Sequence, residues 1–218
     1  MNQTPGILFD LDGTLLDTAP DLAHAANTLY HQYGLPQIDY EILRPLASDG
    51  ALAFINQGFG LNHRYTQVLR NEFIQIYLSV FGQHTALFEG IPDLLTQLMK
   101  ADYPWGIVTN KPTQLTSMTL THFPVLAQAK VVVSGDTLKT SKPDPAPVLY
   151  ACHKLQRPPS ACYFVGDHER DIIAGQKAGT KTIVAEYGYI PTNEHPEDWH
   201  ADYRVDSVEK LSTLLYTF

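Results

Sequence analysis

The chain has 218 residues, 44% of them hydrophobic and 17% charged, with a formal net charge of −8. That length suits one large domain or a core domain with a smaller insert, and that composition excludes wholesale disorder. The acidic balance argues against non-specific nucleic-acid or anionic-membrane binding, which draws on Lys and Arg; a phosphate ester needs local positive charge from a metal ion, a lysine or backbone N–H groups.

In chain order, residues 6–10 form a short continuous apolar run that ends in Asp10. Residues 16–81 then contain no convincing strand. Leu22, Ala26, Leu29 and Tyr33 mark one amphipathic helical face there, and Val68, Leu69, Phe73, Ile76, Tyr77 and Val80 mark another. The simplest account is an all-helical block inserted after the first strand. Beyond it, Ile91, Leu94, Leu95 and Leu98 keep helical spacing. Apolar runs at 105–110, 131–134, 163–167 and 182–185 read as strands buried on both faces. Between them lie helical patterns on Leu115, Met118 and Phe123, from Val148 to Leu155, and from Ile172 to Ala178, the last closed by Gly179. Strands alternating with helices predict an α/β fold, a parallel sheet with helices on both faces. Cys152 and Cys162 sit in apolar stretches and read as buried reduced thiols. No signal pattern or apolar run of ~20 residues is visible, so a cytoplasmic protein without a membrane span is expected.

The chemistry gathers where the apolar runs end. Asp10 and Asp12 are two acids two residues apart, which can divide the roles of nucleophile and proton carrier, and Gly13 allows a sharp turn directly after them. Thr109 and Asn110 bring a hydroxyl and backbone N–H groups that can hold phosphoryl oxygens. Pro143 and Pro145 stiffen the backbone around Lys142, which suits a lysine fixed in place to offset phosphoryl charge. Asp167 closes another buried run, and Asp171 lies at the start of a helix, where the helix dipole also favours an acid. Oxygen ligands of this kind suit magnesium. In open parallel sheets the carboxyl ends of the strands are where ligands bind.

The segments FDLDGT, VTN, SKP and GDHERD resemble, in order and across essentially the whole chain, the four motifs of the haloacid dehalogenase superfamily. The resemblance implies a Rossmann-like core formed by 1–16 and 87–218 and a small all-helical cap domain at 17–86. It implies Asp10 as nucleophile and Asp12 as general acid, then as base for water. Thr109, Asn110 and Lys142 would bind the phosphoryl group. Mg2+ would be held by Asp10, the Asp12 carbonyl and Asp167, with Asp171 supporting them. Ser48, Asp49 and Gly50 resemble the substrate-reading loop of the cap. The dehalogenase branch lacks the second acid, so Asp12 points to phosphate chemistry. WGIVTNKP, KPDP, AGTKT and the tail from Tyr187 to Asp202 are similar to phosphoglycolate phosphatases and, more closely, to N-acetylmuramic acid 6-phosphate phosphatases.

The expected activity is therefore hydrolysis of a small-molecule phosphate ester by a monomer or homodimer. A sugar phosphomutase of the same fold and a non-catalytic phosphate-ligand-binding regulator are the alternatives. His168 reads as a bystander to the metal acid, and Tyr187, Tyr189 and Trp199 as packing residues.

Overall fold

The structure, a computed structural model, describes residues 4–61 and 64–217. In chain order its elements are β1 (Gly6–Phe9), β2 (Leu16–Asp17), α1 (Ala19–Gln32), α2 (Tyr40–Leu43), α3 (Ala51–Phe59), α4 (Thr66–Val80), β3 (Ala86–Leu87), α5 (Ile91–Lys100), β4 (Trp105–Val108), α6 (Thr113–His122), β5 (Val131–Val133), α7 (Ala146–Lys154), β6 (Cys162–Gly166), α8 (Glu169–Ala178), β7 (Lys181–Ala185), β8 (Tyr203–Val205) and α9 (Val208–Leu215). The chain divides into two compact units, Met1–Leu15 with Leu87–Phe218, and Leu16–Ala86.

The first unit is built on a six-stranded sheet in the order β5-β4-β1-β6-β7-β8, with every pair parallel. Its fold is α/β and Rossmann-like, as the alternating pattern predicts. Ile7, Leu8, Phe9, Ile107, Val108, Phe164 and Val165 have no exposed surface, because helices cover both faces of these central strands. The chain leaves β1 towards β4 and β5 on one side, then returns to β6 on the other. That reversal beside β1 is the switch point at which an open parallel sheet leaves a crevice.

The strands stop slightly earlier than the apolar runs suggest. Asp10, Thr109, Ser134 and Asp167 are the first residues beyond β1, β4, β5 and β6. Two of them are still held by the ladder, through Asp10 N to Val165 O at 2.8 Å and Thr109 N to Val133 O at 2.8 Å. Helix α8 begins at Glu169, earlier than the apolar pattern from Ile172, because His168 caps it. Its Nδ1 accepts from Arg170 N at 3.1 Å, while Asp171 Oδ2 accepts from His168 N at 3.2 Å. In α6 the buried positions are Thr116 and Thr119 rather than the expected apolar face. Their hydroxyls donate to carbonyls at or just before the helix, which lets them be buried. Cys152 and Cys162 are buried and unbridged, as expected.

The second unit packs α1, α3 and α4 around Leu22, Leu29, Tyr30, Phe54, Ile55, Leu69, Phe73 and Tyr77. Phe54 stacks on Phe73 with ring centroids 5.4 Å apart. Two expectations are corrected. The buried face of α1 ends on Tyr30, whose hydroxyl donates to Phe54 O, while Tyr33 is 50% exposed and bonds Glu72. The segment also opens with the short strand β2, which pairs with β3 in a two-stranded ribbon; two residues give no periodicity to read. Asp21, fully buried, accepts from Gly82 N, His84 N, Thr85 N and Thr85 Oγ1 at 2.7–3.1 Å, tying the start of α1 to the returning chain. Among the described residues no helix is long and apolar enough to cross a membrane.

Candidate active site

Asp10, Asp12, Thr109, Asn110, Lys142, Asp167 and Asp171 all belong to the sheet unit, at or just beyond the carboxyl ends of its strands. Ser48, Asp49 and Gly50 belong to the helical unit, at the end of a 3-10 turn and the N-cap of α3.

Lys142 is 3% exposed, and its ammonium nitrogen lies 2.8 Å from Asp10 Oδ1, 2.7 Å from Asp171 Oδ1 and 2.8 Å from Val108 O. An ammonium has three donors, and these three acceptors match them. Burial alone would lower the lysine's pKa, but Asp10 and Asp171 more than offset it and hold it above the ordinary value. The loop is fixed at the backbone too. The Asn110 amide donates to Lys142 O at 3.0 Å and accepts from Lys142 N at 3.0 Å. Asn110 thus braces the lysine through its side chain.

Asp167 is 1% exposed. Its Oδ1 accepts from Thr14 Oγ1 at 3.0 Å and its Oδ2 from Tyr189 N at 3.0 Å. Gly13 and Gly188 close around it: a Cβ at either position would overlap the Asp167 side chain, and Gly13 has a φ of +84° that favours glycine in any case. Tyr187 donates to Thr14 O at 3.0 Å, securing the same turn. Asp12 Oδ1 accepts from Lys111 Nζ at 2.9 Å, with both side chains largely buried.

Oxygen atoms of Asp10, Asp167 and Asp171 lie within 4.8 Å of one another. With all three carboxyl groups ionised, the single ammonium of Lys142 leaves two net negative charges in a buried space. Burial is the largest influence on Asp10, raising its carboxyl; Lys142 pulls it down, Asp171 and Asp167 push it up, and the result is about 7. A divalent cation would cancel this excess, and an all-oxygen donor set suits a hard ion. The residues therefore fit a metal such as magnesium.

Four contributors escaped the sequence reading: Lys111, Thr14, and the Gly188–Tyr189 backbone that touches Asp167. Lys111 follows Thr109 and Asn110 directly, which is a usable signal. The tail residues carry none, because a backbone N–H has no sequence signature. His168 serves as a helix cap and stacks on Trp199 at 6.5 Å. Tyr189 and Trp199 are buried packing residues.

An α/β sheet with buried acids and a lysine at its switch point fits an enzyme of the phosphoryl-transfer class. A family model for haloacid dehalogenase-like hydrolases matches residues 7–185. The chain is 40% identical over 211 residues to an N-acetylmuramic acid 6-phosphate phosphatase of Pseudomonas aeruginosa strain PAO1, covering 96% of this chain and 93% of that protein. It is 38% identical over 206 residues to a phosphoglycolate phosphatase of Xanthomonas campestris pv. campestris strain 8004, covering 94% and 93%. Among solved structures, a predicted phosphoglycolate phosphatase from Haemophilus somnus 129pt matches with a TM-score of 0.87 and 27% identity, covering 98% of this chain and 99% of that one. The chain belongs to the haloacid dehalogenase-like hydrolase family and is a phosphoric monoester hydrolase within it.

Proposed function

We propose that this enzyme is a magnesium-dependent phosphatase that works through a phospho-aspartate on Asp10, acting on N-acetylmuramic acid 6-phosphate or 2-phosphoglycolate. The observation that carries the reading is the buried cluster of Asp10, Asp167 and Asp171 around one lysine, two charges short of neutrality when all three acids are ionised. The substrate pair rests on the relatives of 40% and 38% identity.

Asp10 attacks phosphorus in line and the bond to the leaving oxygen breaks. Asp12 gives that oxygen a proton, then takes one from the water that hydrolyses the aspartyl phosphate. Thr109 and Lys142 hold the phosphoryl oxygens, Lys142 by turning the N–H now on Asp10 to the phosphoryl group as Asp10 becomes esterified, and Asn110 keeps Lys142 in position. Mg2+, held by Asp10, Asp167 and the Asp12 carbonyl with Asp171 behind them, would neutralise charge on the phosphoryl group. Residues 17–86 are the cap in this reading, and Ser48, Asp49 and Gly50 are its candidates for substrate specificity. A cytoplasmic monomer or homodimer completes it.

The test is phosphate release by the purified protein from both substrates and an aryl phosphate, with magnesium and with chelator. Magnesium-dependent release that chelator removes is the expected result. Isomerised sugar phosphate without release would make the protein a mutase; ligand binding without turnover would make it a regulator.

A further inference from the structure

The residues that follow β7 reach the acid cluster, and the phosphoryl-transfer chemistry above gives them no part. They are anchored to the sheet from behind: Glu186 N donates to Val205 O at 2.8 Å and Gly188 N to Ala185 O at 3.0 Å. On the side of the cluster, Gly188 is wedged between Asp167 and the Gly13 carbonyl, and a Cβ there would overlap both. Tyr189 N donates to Asp167 Oδ2, and the Tyr187 hydroxyl donates to Thr14 O, each at 3.0 Å.

These bonds close a ring. Thr14 Oγ1 donates to Asp167 Oδ1 at 3.0 Å, so Asp167 is gripped on one oxygen by Thr14 and on the other by Tyr189. Tyr187 joins the two grips. The last paired residues of β1 and β6 are Phe9 and Val165, so the Asp12–Thr14 turn and Asp167 lie past the point where the strand ladder sets their separation. The ring sets it instead.

Packing accounts for the aromatic part of Tyr187, which meets Phe88 edge to face with centroids 5.2 Å apart. It does not account for the hydroxyl, since a phenylalanine would fill the same space. Burial, and then the nearby Asp167 carboxylate, hold the phenol well above the ordinary tyrosine range, so it remains a donor. Groups that stand behind metal ligands orient them, and the affinity for the metal depends on that orientation.

Resting on the magnesium reading above, we infer that Tyr187 is a positioning residue for the metal: its hydroxyl, acting through Thr14, holds the turn that carries the Asp12 carbonyl in register with Asp167 and thereby raises the affinity for Mg2+. The carbonyl and the acid come from loops 153 residues apart in sequence between Thr14 and Asp167, and the segment after β7 is the bridge between them.

The probe is Mg2+ alone, titrated calorimetrically into wild type, Tyr187→Phe and Thr14→Val, with the melting temperature of each metal-free protein measured beside it. Tyr187→Phe keeps the ring and removes the hydroxyl. It is expected to raise the Kd for Mg2+ by about fivefold, the equivalent of one hydrogen bond between neutral groups. Thr14→Val removes the direct grip on Asp167 and is expected to raise Kd by about tenfold to a hundredfold. A Tyr187→Phe variant that melts earlier yet binds Mg2+ as tightly as wild type overturns the inference and leaves Tyr187 a packing residue. Where Tyr187→Phe yields no folded protein, Thr14→Val decides, because Tyr187 acts through that residue: a Kd equal to that of wild type overturns the inference, and the expected loss upholds it. A wild type that binds no Mg2+ removes the magnesium reading itself, which separates the two failures.

Discussion

Asp21 in the helical unit and Asp10 in the sheet unit are both buried acids, yet one receives four hydrogen bonds and the other faces two further carboxylates. Asp21 is satisfied by backbone N–H groups and a hydroxyl from its own unit, so it acts as a structural tie. Asp10 has one lysine to share with Asp171, so its surroundings remain incomplete without an added cation. A buried acid completed by local donors reads as architecture; one surrounded by its own kind reads as chemistry.

Substitution separates the two most sharply. Under the proposed phospho-aspartate mechanism, Asp10→Asn is expected to lower turnover by more than about 10⁴-fold, because an amide cannot serve as the attacking carboxylate. Its circular dichroism should match wild type. Retained activity breaks the contrast. Asp21→Ala is expected to lower unfolding free energy by about 2–4 kcal/mol, since three backbone N–H groups lose their acceptor together. Denaturant titration measures it, and a loss below ~1 kcal/mol would remove Asp21 from its structural role.

The pH dependence sharpens the same contrast. In chelator, the carboxyl of Asp10 is raised from 3.8 to about 7, so the folded protein holds that proton more tightly than the unfolded chain. This contribution to stability is complete below pH 3.8 and is lost as pH rises through about 7. Asp10→Asn has no such proton, so the variant should gain melting temperature relative to wild type between pH 5 and pH 8. A constant difference across that range would contradict the account of the site. The smallest effect is expected at His168, where His168→Ala removes the cap of α8 and costs about 1 kcal/mol in a thermal melt.

Much of the sheet is legible in the sequence because strands buried on both faces must be continuously apolar. Residues 6–9, 105–108 and 162–166 show this plainly. β8 is different. Tyr203 is half-buried and Arg204 exposed on an edge strand of three residues, so neither hydropathy nor alternation marks it. The motif residues are legible for a chemical reason: acids and a lysine at the ends of apolar runs are conspicuous. The contacts among them are not, since Lys111 meets Asp12 across 99 residues of chain and Thr14 meets Asp167 across 153. Tyr30 and Tyr33 show the limit on helices: both are tyrosines three residues apart, and only packing against α3 decides which goes inside.

The paired bonds between the Asn110 amide and the Lys142 backbone have a practical consequence. The lysine is indexed to the end of β4 by one side chain, and not by the spacer that runs out from β5. Lys139 and Thr140 are exposed at the tip of that spacer. An epitope or reporter peptide spliced between them should therefore be absorbed by the connection, leaving a tagging point a few residues from the working lysine.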